Sequence, residues 1–310
     1  MSRPILHIGY HKTASTWFQR SYYKQVRNLR YIDRKLVKKA FLGHGGLDFT
    51  PAKAHAELEL TSPDEPVILC EEELSGYLHN GGLFGFLSLE MARRLHAAFP
   101  NGRVVIFIRS QPEIMAACYQ QYIRGGGTYL PDRYLHPEKS LEGAASDPYK
   151  IPRFRFEHFD YLPLIKHYEE LFGRESVHVI PYEDFRRDNE DFLSRFAARF
   201  ELDVQLQEVS QRRRLVSYSL PIIRLARVLN RFTYRTVNDK RYWLNIPNWY
   251  TRRRKILEWL NRGGRLGSTP SPKVLFGEAQ VCEIEDYYRE SNRKLVEHTG
   301  LPLGDFGYPL

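Results

Sequence analysis

The 310-residue sequence has no uninterrupted apolar run near the ~18 residues that a membrane-spanning helix needs, so an α-helical membrane protein is excluded. Cysteine is scarce. Cys70, Cys118 and Cys282 are odd in number and far apart, which excludes a disulfide framework and a Cys-rich zinc site and suggests buried, reduced thiols. Met-Ser-Arg-Pro runs directly into the first apolar stretch, without the pattern of a signal or transit peptide. A cytoplasmic protein is therefore expected. Acidic residues are nearly missing from one region: residues 212–265 hold Asp239 and Glu258 against fifteen Lys or Arg, a local charge of +13 within a chain of +9. The remainder carries about −4 by subtraction. Such a region suits a polyanionic partner: nucleotide, nucleic acid, acidic polysaccharide or lipid headgroup.

What is present is a well-stocked core. The chain is 42% hydrophobic and 14% aromatic, which argues against disorder. Ile5–Ile8, Val67–Cys70, Val104–Ile108 and Val177–Ile180 read as buried strands. Between them apolar residues recur at helical spacing: Leu87, Met91, Leu95 and Ala98; Ile114, Cys118 and Tyr122; Tyr161, Ile165, Tyr168 and Phe172. Alternating strands and helices predict an α/β fold with a mainly parallel central sheet flanked by helices. After Val177–Ile180 the pattern is helical, with Phe192, Phe196 and Phe200, then Val281, Tyr288 and Leu295. No repeat is found, and residues 125–153 read as a long irregular excursion. A single domain over 1–310 is expected, with a basic helical subregion at 212–270 inside a nucleotide-binding core.

Residues 5–20 predict strand, tight loop, helix: Ile5, Leu6 and Ile8 are apolar, Gly9 permits the turn, and Phe18, Tyr22 and Val26 recur at helical spacing. A loop so placed aims backbone N–H groups and the helix dipole at one point, where Lys12 adds a charge and Thr13, Ser15 and Thr16 add hydroxyls. That is a phosphate site. The plain alternative is an ordinary strand-to-helix connection capped by Ser or Thr. Gly9 precedes Lys12 by three residues and no glycine adjoins the lysine, so this is not the Walker pattern.

Arg109 follows the strand Val104–Ile108 at its C-terminal end, where open α/β sheets bind ligands, and precedes Pro112 at a first-turn position. It suits a bidentate phosphate contact, or it is simply a solvated arginine. Glu71, Glu72 and Glu73 follow Val67–Cys70 in the same manner. In extended chain Glu72 points opposite to its neighbours, so one or two of the three can act as general base. Alternatively they form an acidic first helical turn. His79 is a second candidate base or a surface-loop residue, and His7 reads as a core residue.

His11-Lys12-Thr13-Ala14-Ser15-Thr16 resembles the 5′-phosphosulfate loop of sulfotransferases that use 3′-phosphoadenosine 5′-phosphosulfate (PAPS), with Ala14 where that family usually has glycine. Arg109 and its following helix resemble the element that holds the donor's 3′-phosphate, but the serine eight positions on is Ala117 here. Ser110, Tyr122 or the run Arg212–Arg214 are the candidate replacements. Cys70–Gly76 resembles the Ser-Ser-Glu-x-Leu-Ser segment of carbohydrate-type sulfotransferases, an alignment that selects Glu72. Weaker likeness covers Val177–Asp188, Tyr287–Leu295 and Phe306–Pro309.

The resemblance implies sulfuryl transfer from PAPS to a hydroxyl or amine, without metal. In that reading His11, Lys12, Thr13, Ala14, Ser15, Thr16 and Arg109 bind the donor, while Lys12, His11 and Glu72 are catalytic. The expected acceptor is an anionic glycan or a membrane-surface glycolipid, with the enzyme cytoplasmic or peripheral at the membrane. Rivals are a P-loop nucleotide kinase and a nucleic-acid-binding protein using residues 212–265, although no nucleic-acid module is recognisable. A helix over about 222–232 is expected to put Arg224, Arg227 and Arg231 on one face and Leu225, Leu229 and Phe232 on another. Arg252, Arg253 and Arg254 are expected to extend that basic surface.

Overall fold

The computed structural model describes residues 3–140, 153–205, 217–234, 241–262 and 266–310. The expected strands form as β1 (Ile5–Gly9), β3 (Val67–Cys70), β4 (Arg103–Ile108) and β5 (Val177–Pro181). A two-residue β2 (Arg30–Tyr31), which has no apolar run to announce it, completes the sheet. The order is β2-β3-β1-β4-β5, with every pair parallel.

Both faces of the sheet are covered, as continuous apolar runs demand. Alternation sorts the side chains. Leu6, Ile8, Val67, Leu69, Val104, Ile106 and Ile108 enter one core, shared with the helices Phe86–Ala98, Gln111–Arg124, Tyr161–Phe172 and Glu278–Thr299. Ile5, Ile68, Cys70, Val105 and Phe107 enter the other, where Phe192, Phe196 and Phe200 of the helix Asn189–Phe200 pack beside Phe18 and Tyr22. The helices expected between the later strands and after β5 thus form, whereas the one expected after β1 is a π turn, Phe18–Tyr22, followed by a 3-10 turn, Tyr23–Gln25, with Val26 already extended. Within the 125–153 excursion the described part includes a short helix at Pro131–Leu135, and residues 141–152 lie outside the described residues.

Because β3 and β4 flank β1 on opposite sides, connections leave the centre of the sheet in opposite directions. In open α/β sheets such a reversal marks the ligand crevice, outside the C-terminal strand ends. The three predicted site segments, after β1, β3 and β4, are brought to that crevice by this topology. Glu71 N–H donates to the His7 carbonyl at 3.1 Å and Tyr10 N–H to the Phe107 carbonyl at 2.7 Å, so the strand ends are tied together. Cys70 and Cys118 are buried as expected, whereas Cys282 is exposed on the outer side of its helix.

Candidate active site

Gly9 ends β1 with φ 116, and a side chain there would meet Glu72 Cα at 3.2 Å and Ser75 Oγ at 3.3 Å. The loop after β1 and the turn after β3 therefore touch only because residue 9 is glycine. Lys12 and Ala14 both take left-handed backbone, φ 65 and φ 69, and Ser15 starts a helical run that continues through a π turn, Phe18–Tyr22. Thr13 Oγ1 donates to the Tyr10 carbonyl at 2.5 Å and closes the loop on itself, so this hydroxyl is not available to a ligand as expected. The backbone N–H groups of residues 11–16 donate to no other described group. Alternating handedness turns such amides toward a common point, the geometry of an anion nest.

Lys12 is half-buried in this loop. Burial lowers its pKa, and the Arg109 and Arg124 charges lower it further. Arg109 is joined to the same loop: Nη1 donates to the Lys12 carbonyl at 3.1 Å, Nη2 pairs with Glu113 at 2.9 Å, and the guanidinium lies 5.0 Å from the Tyr182 ring. It is thus no free surface arginine. Glu113, Ala117, Gln121 and Arg124 form the half-buried strip of the helix Gln111–Arg124. The expected substitutes for a hydroxyl at Ala117 are engaged elsewhere. Ser110 Oγ donates to the Gly307 carbonyl at 3.0 Å, and Tyr122 Oη accepts from Thr128 and Tyr129 N–H at 3.1 and 3.2 Å. Arg212–Arg214 lie outside the described residues.

The three glutamates separate by partner. Extended chain stops at Glu71, because Glu72–Ser75 is a 3-10 turn that Glu71 caps through Glu73 N–H, so strand alternation does not apply to them. Glu71 is fully buried and accepts both arms of Arg34, at 2.8 and 3.0 Å. Burial and the neighbouring Glu72 nevertheless raise its pKa to about 7. Glu73 pairs with Lys38 at 2.7 Å. Glu72 accepts from Gln19 Nε2 at 3.0 Å and Arg34 Nη2 at 3.2 Å. Burial works against its charge, but His11, Arg34 and the Gln19 bond outweigh burial and hold its carboxyl below the ordinary value. Glu72 is therefore ionised at neutral pH.

Histidines gather around the same loop. Burial lowers His11 to about 4, partly opposed by Glu72 and Glu73. His79 is buried rather than on a surface loop: its Nδ1 lies 3.0 Å from Tyr134 Oη, and burial with the His11 and Lys12 charges lowers it to about 3. His158, which carries no motif in the sequence, packs edge-on against Tyr10 at 5.5 Å, and burial lowers it to about 3. All three are neutral at pH 7. His7 is a core residue as expected, bonded to Tyr23 Oη at 2.8 Å and stacked on Phe107 at 4.9 Å. Beside Tyr10 and His158 lies a cavity of about 320 Å³, walled also by Phe84, Leu89, Asp160 and Leu164.

Sequence reasoning missed Gln19, Arg34, Arg124 and His158. Gln19 was reachable, because it stands one helical turn after Ser15 and so shares its face. Arg34 carried no signal, since its role depends on β2 leading the chain into the helix Arg34–Leu42 beside β3.

The arginine-rich region departs from expectation. The helix is Leu220–Leu229, continued by a 3-10 turn, Asn230–Phe232. Ile222, Ile223 and Ala226 form its buried face, so Leu225 is exposed beside Arg224 instead of opposite it. In the helix Trp249–Leu260, Arg253 is fully buried. It donates to the Arg124 carbonyl at 2.8 Å and lies 4.6 Å from the Tyr250 ring. It is a strut between this region and the helix that begins after Arg109.

Among the described residues no helix is long and apolar enough to cross a membrane, and no group of three or more His, Cys, Asp or Glu could hold a metal ion. No protein-family model matches the sequence, and no curated protein matches it. Among solved structures, a sulfotransferase from Alicyclobacillus acidocaldarius is similar with a TM-score of 0.48 and 18% identity, over 68% of this chain and 87% of that one. A sulfotransferase domain from the curacin biosynthetic pathway is similar with a TM-score of 0.37 and 10% identity, over 67% of this chain and 76% of that one.

Proposed function

We propose that the chain transfers a sulfuryl group from PAPS to a hydroxyl or amine, with a carbohydrate or glycolipid as acceptor. The observation that supports this most is the loop His11–Thr16, whose unpartnered amides surround a half-buried Lys12 within contact of Arg109. Amides and lysine suit the 5′-phosphosulfate. Arg109 and Arg124 supply positive charge for a second phosphate, with no hydroxyl at Ala117 to assist. In the reaction the acceptor oxygen attacks sulfur while the sulfur–oxygen bond to the phosphate breaks. Lys12 neutralises the leaving phosphate oxygen, and Glu72 takes the acceptor's proton. A kinase reading would call on the glutamates as magnesium ligands, and Glu71 and Glu73 are already committed to Arg34 and Lys38.

Thermal protection by adenosine 3′,5′-bisphosphate, with none from ATP or DNA, is the expected binding result. Labelled-PAPS transfer to a panel of glycans, glycolipids and phenols then identifies the acceptor. Glu72→Gln should retain bisphosphate binding and slow transfer to a sugar hydroxyl more than to a phenol, whose own proton leaves readily. Equal rates for both acceptors would remove Glu72 as the base.

A further inference from the structure

Outside the crevice, the described residues 217–234 and 241–262 expose many large apolar side chains that the site does not use. Trp243, Trp259 and Tyr234 are each more than 60% exposed, and Val228, Leu244, Ile246 and Ile256 are exposed near them in sequence. Burying such groups is favourable, so a monomer seldom leaves so many outside without a use. They are also held in place. Trp243 N–H donates to the Arg231 carbonyl at 2.7 Å, Ile246 N–H to the Phe232 carbonyl at 3.1 Å, and Tyr234 N–H to Asn245 Oδ1 at 3.1 Å. Tyr234 and Tyr242 rings meet at 5.3 Å, and the Arg231 guanidinium covers Trp243 at 4.8 Å.

Charge accompanies the rings. Arg224, Arg231, Arg241, Arg252, Arg254 and Lys255 are exposed on the same segments. Among the described residues of 217–262 the one acid is Glu258, paired with Arg124 at 3.3 Å and lying 4.0 Å from Arg254. Among the described residues no acid pairs with Arg224, Arg231, Arg241, Arg252 or Lys255.

We propose that this face docks on an anionic lipid bilayer. Tryptophan and tyrosine favour the headgroup level, aliphatic side chains enter the acyl boundary, and arginines bind lipid phosphates while their stems lie along apolar surface. A second copy of the chain is a poor occupant, because a two-fold contact of this face with itself sets arginine against arginine. A soluble polyanion would use the arginines and leave Val228, Leu244 and Ile256 in water. Charge complementarity and apolar exposure together select the bilayer. The docking module is also the one that Arg253 and Asn230 fasten to the end of the helix Gln111–Arg124, whose start adjoins Arg109. The inference stands apart from the proposed sulfuryl transfer and needs no donor or acceptor.

The test is co-sedimentation of the full chain with vesicles of phosphatidylcholine alone or mixed with phosphatidylglycerol. Binding to the mixed vesicles, with a blue shift of tryptophan emission, is expected, and binding to phosphatidylcholine alone should be at least about tenfold weaker. Trp243→Ser with Trp259→Ser should weaken vesicle binding about tenfold or more while leaving heparin binding unchanged, and R224E with R241E should abolish both. Unchanged melting temperatures show that these surface variants remain folded. Two results overturn the proposal: no binding to mixed vesicles, or vesicle binding that the tryptophan pair does not affect. The second would leave a purely electrostatic surface that takes any polyanion.

Discussion

Two regions of this molecule concentrate positive charge, and they do so by opposite means. Around β1 the cations are few and built in: Lys12 sits among backbone amides, Arg109 is fixed to the Lys12 carbonyl, and burial already lowers the lysine's pKa. Among the described residues of 217–262 they are many and most are exposed alongside exposed rings, while Arg253 is buried and Arg227 is half-buried against Tyr119. A charge preorganised in a low-dielectric crevice acts strongly on one small anion that fits, whereas mobile surface charges act weakly and add up over an extended partner. The first arrangement suits chemistry and the second suits docking. Each prediction below removes one element of that contrast.

The largest effect should come from Lys12→Ala. If the crevice lysine acts on charge that develops at the leaving oxygen, turnover falls by roughly 10²-fold or more, while adenosine 3′,5′-bisphosphate binds with little change. Single-turnover transfer and calorimetric binding of the bisphosphate separate the two. An equal loss in both would make Lys12 a ground-state binder, and the contrast with the surface arginines would narrow to one of affinity.

Arg253 tests the contrast from the other side, since it is the buried member of the exposed group. Arg253→Ala removes the shorter of two hydrogen bonds to the Arg124 carbonyl, leaving Tyr250 Oη at 3.5 Å, and opens a gap against the Tyr250 ring, so a loss of about 2 kcal/mol is expected in denaturant unfolding. Arg253→Met keeps most of the volume and removes a buried charge, so it should lose less. For an ordinary surface arginine, as the run Arg252–Lys255 suggests in sequence, both variants would lie within about 0.5 kcal/mol of the parent.

Acid should distinguish the regions next. His11, His79 and His158 are held neutral, with pKa values of about 4, 3 and 3, mainly by burial. An unfolded histidine titrates near 6.5, so below that pH the unfolded chain binds more protons. The stabilisation these rings contribute is complete above pH 6.5 and is lost as pH falls toward 4, by at most about 1.4 kcal/mol per pH unit for each ring. Glu71 runs the other way. Its pKa, raised to about 7, gives stability that is fully present below its ordinary 4.5 and lost as pH rises through 7, so it offsets one of the three rings. The described part of 217–262 contains no histidine. Hydrogen exchange at pH 5 should therefore show residues 8–16 and 76–82 opening well before the helix Trp249–Leu260. Simultaneous opening would make the two regions one cooperative unit.

The same contrast explains what could be read from sequence. Strands buried on both faces leave continuous apolar runs, and a loop between strand and helix has a fixed place on an α/β sheet, so the positions of Lys12, Arg109 and the run Glu71–Glu73 followed from local pattern and topology, while the choice of Glu72 within that run rested on the resemblance alone. Partners that depend on packing did not. Nothing near Arg34 points to Glu71, and the two-residue β2 that delivers it has no run to detect. In the basic region, helical spacing put Leu225 inside, but Ile222, Ile223 and Ala226 won the buried face because they meet the body of the protein. An arginine stripe looks alike whether it is solvated or serves as a strut. Arg253 shows that only the partner surface decides.

The smallest effect should come from Ala14, at the point where the crevice loop departs from the glycine of the sulfotransferase pattern. Its φ of 69 lies in the left-handed region, where Cβ crowds the following carbonyl and costs an L residue roughly 1–2 kcal/mol. Glycine removes that strain but adds conformational freedom to the unfolded chain, which returns part of the gain. Ala14→Gly should therefore stabilise the protein by about 0.5–1 kcal/mol, visible as a small rise in melting temperature. Donor affinity should stay the same, because residue 14 already adopts the left-handed conformation that glycine prefers. The comparison with Ala117→Ser is informative, since both restore a residue of the same pattern. Ala14→Gly should act on stability alone, whereas Ala117→Ser, on the half-buried strip between Glu113 and Arg124, should strengthen binding of adenosine 3′,5′-bisphosphate by several-fold and leave stability unchanged. Tighter binding from the glycine would mean that strain at Ala14 distorts the nest, and the crevice would then be less preorganised than its geometry indicates.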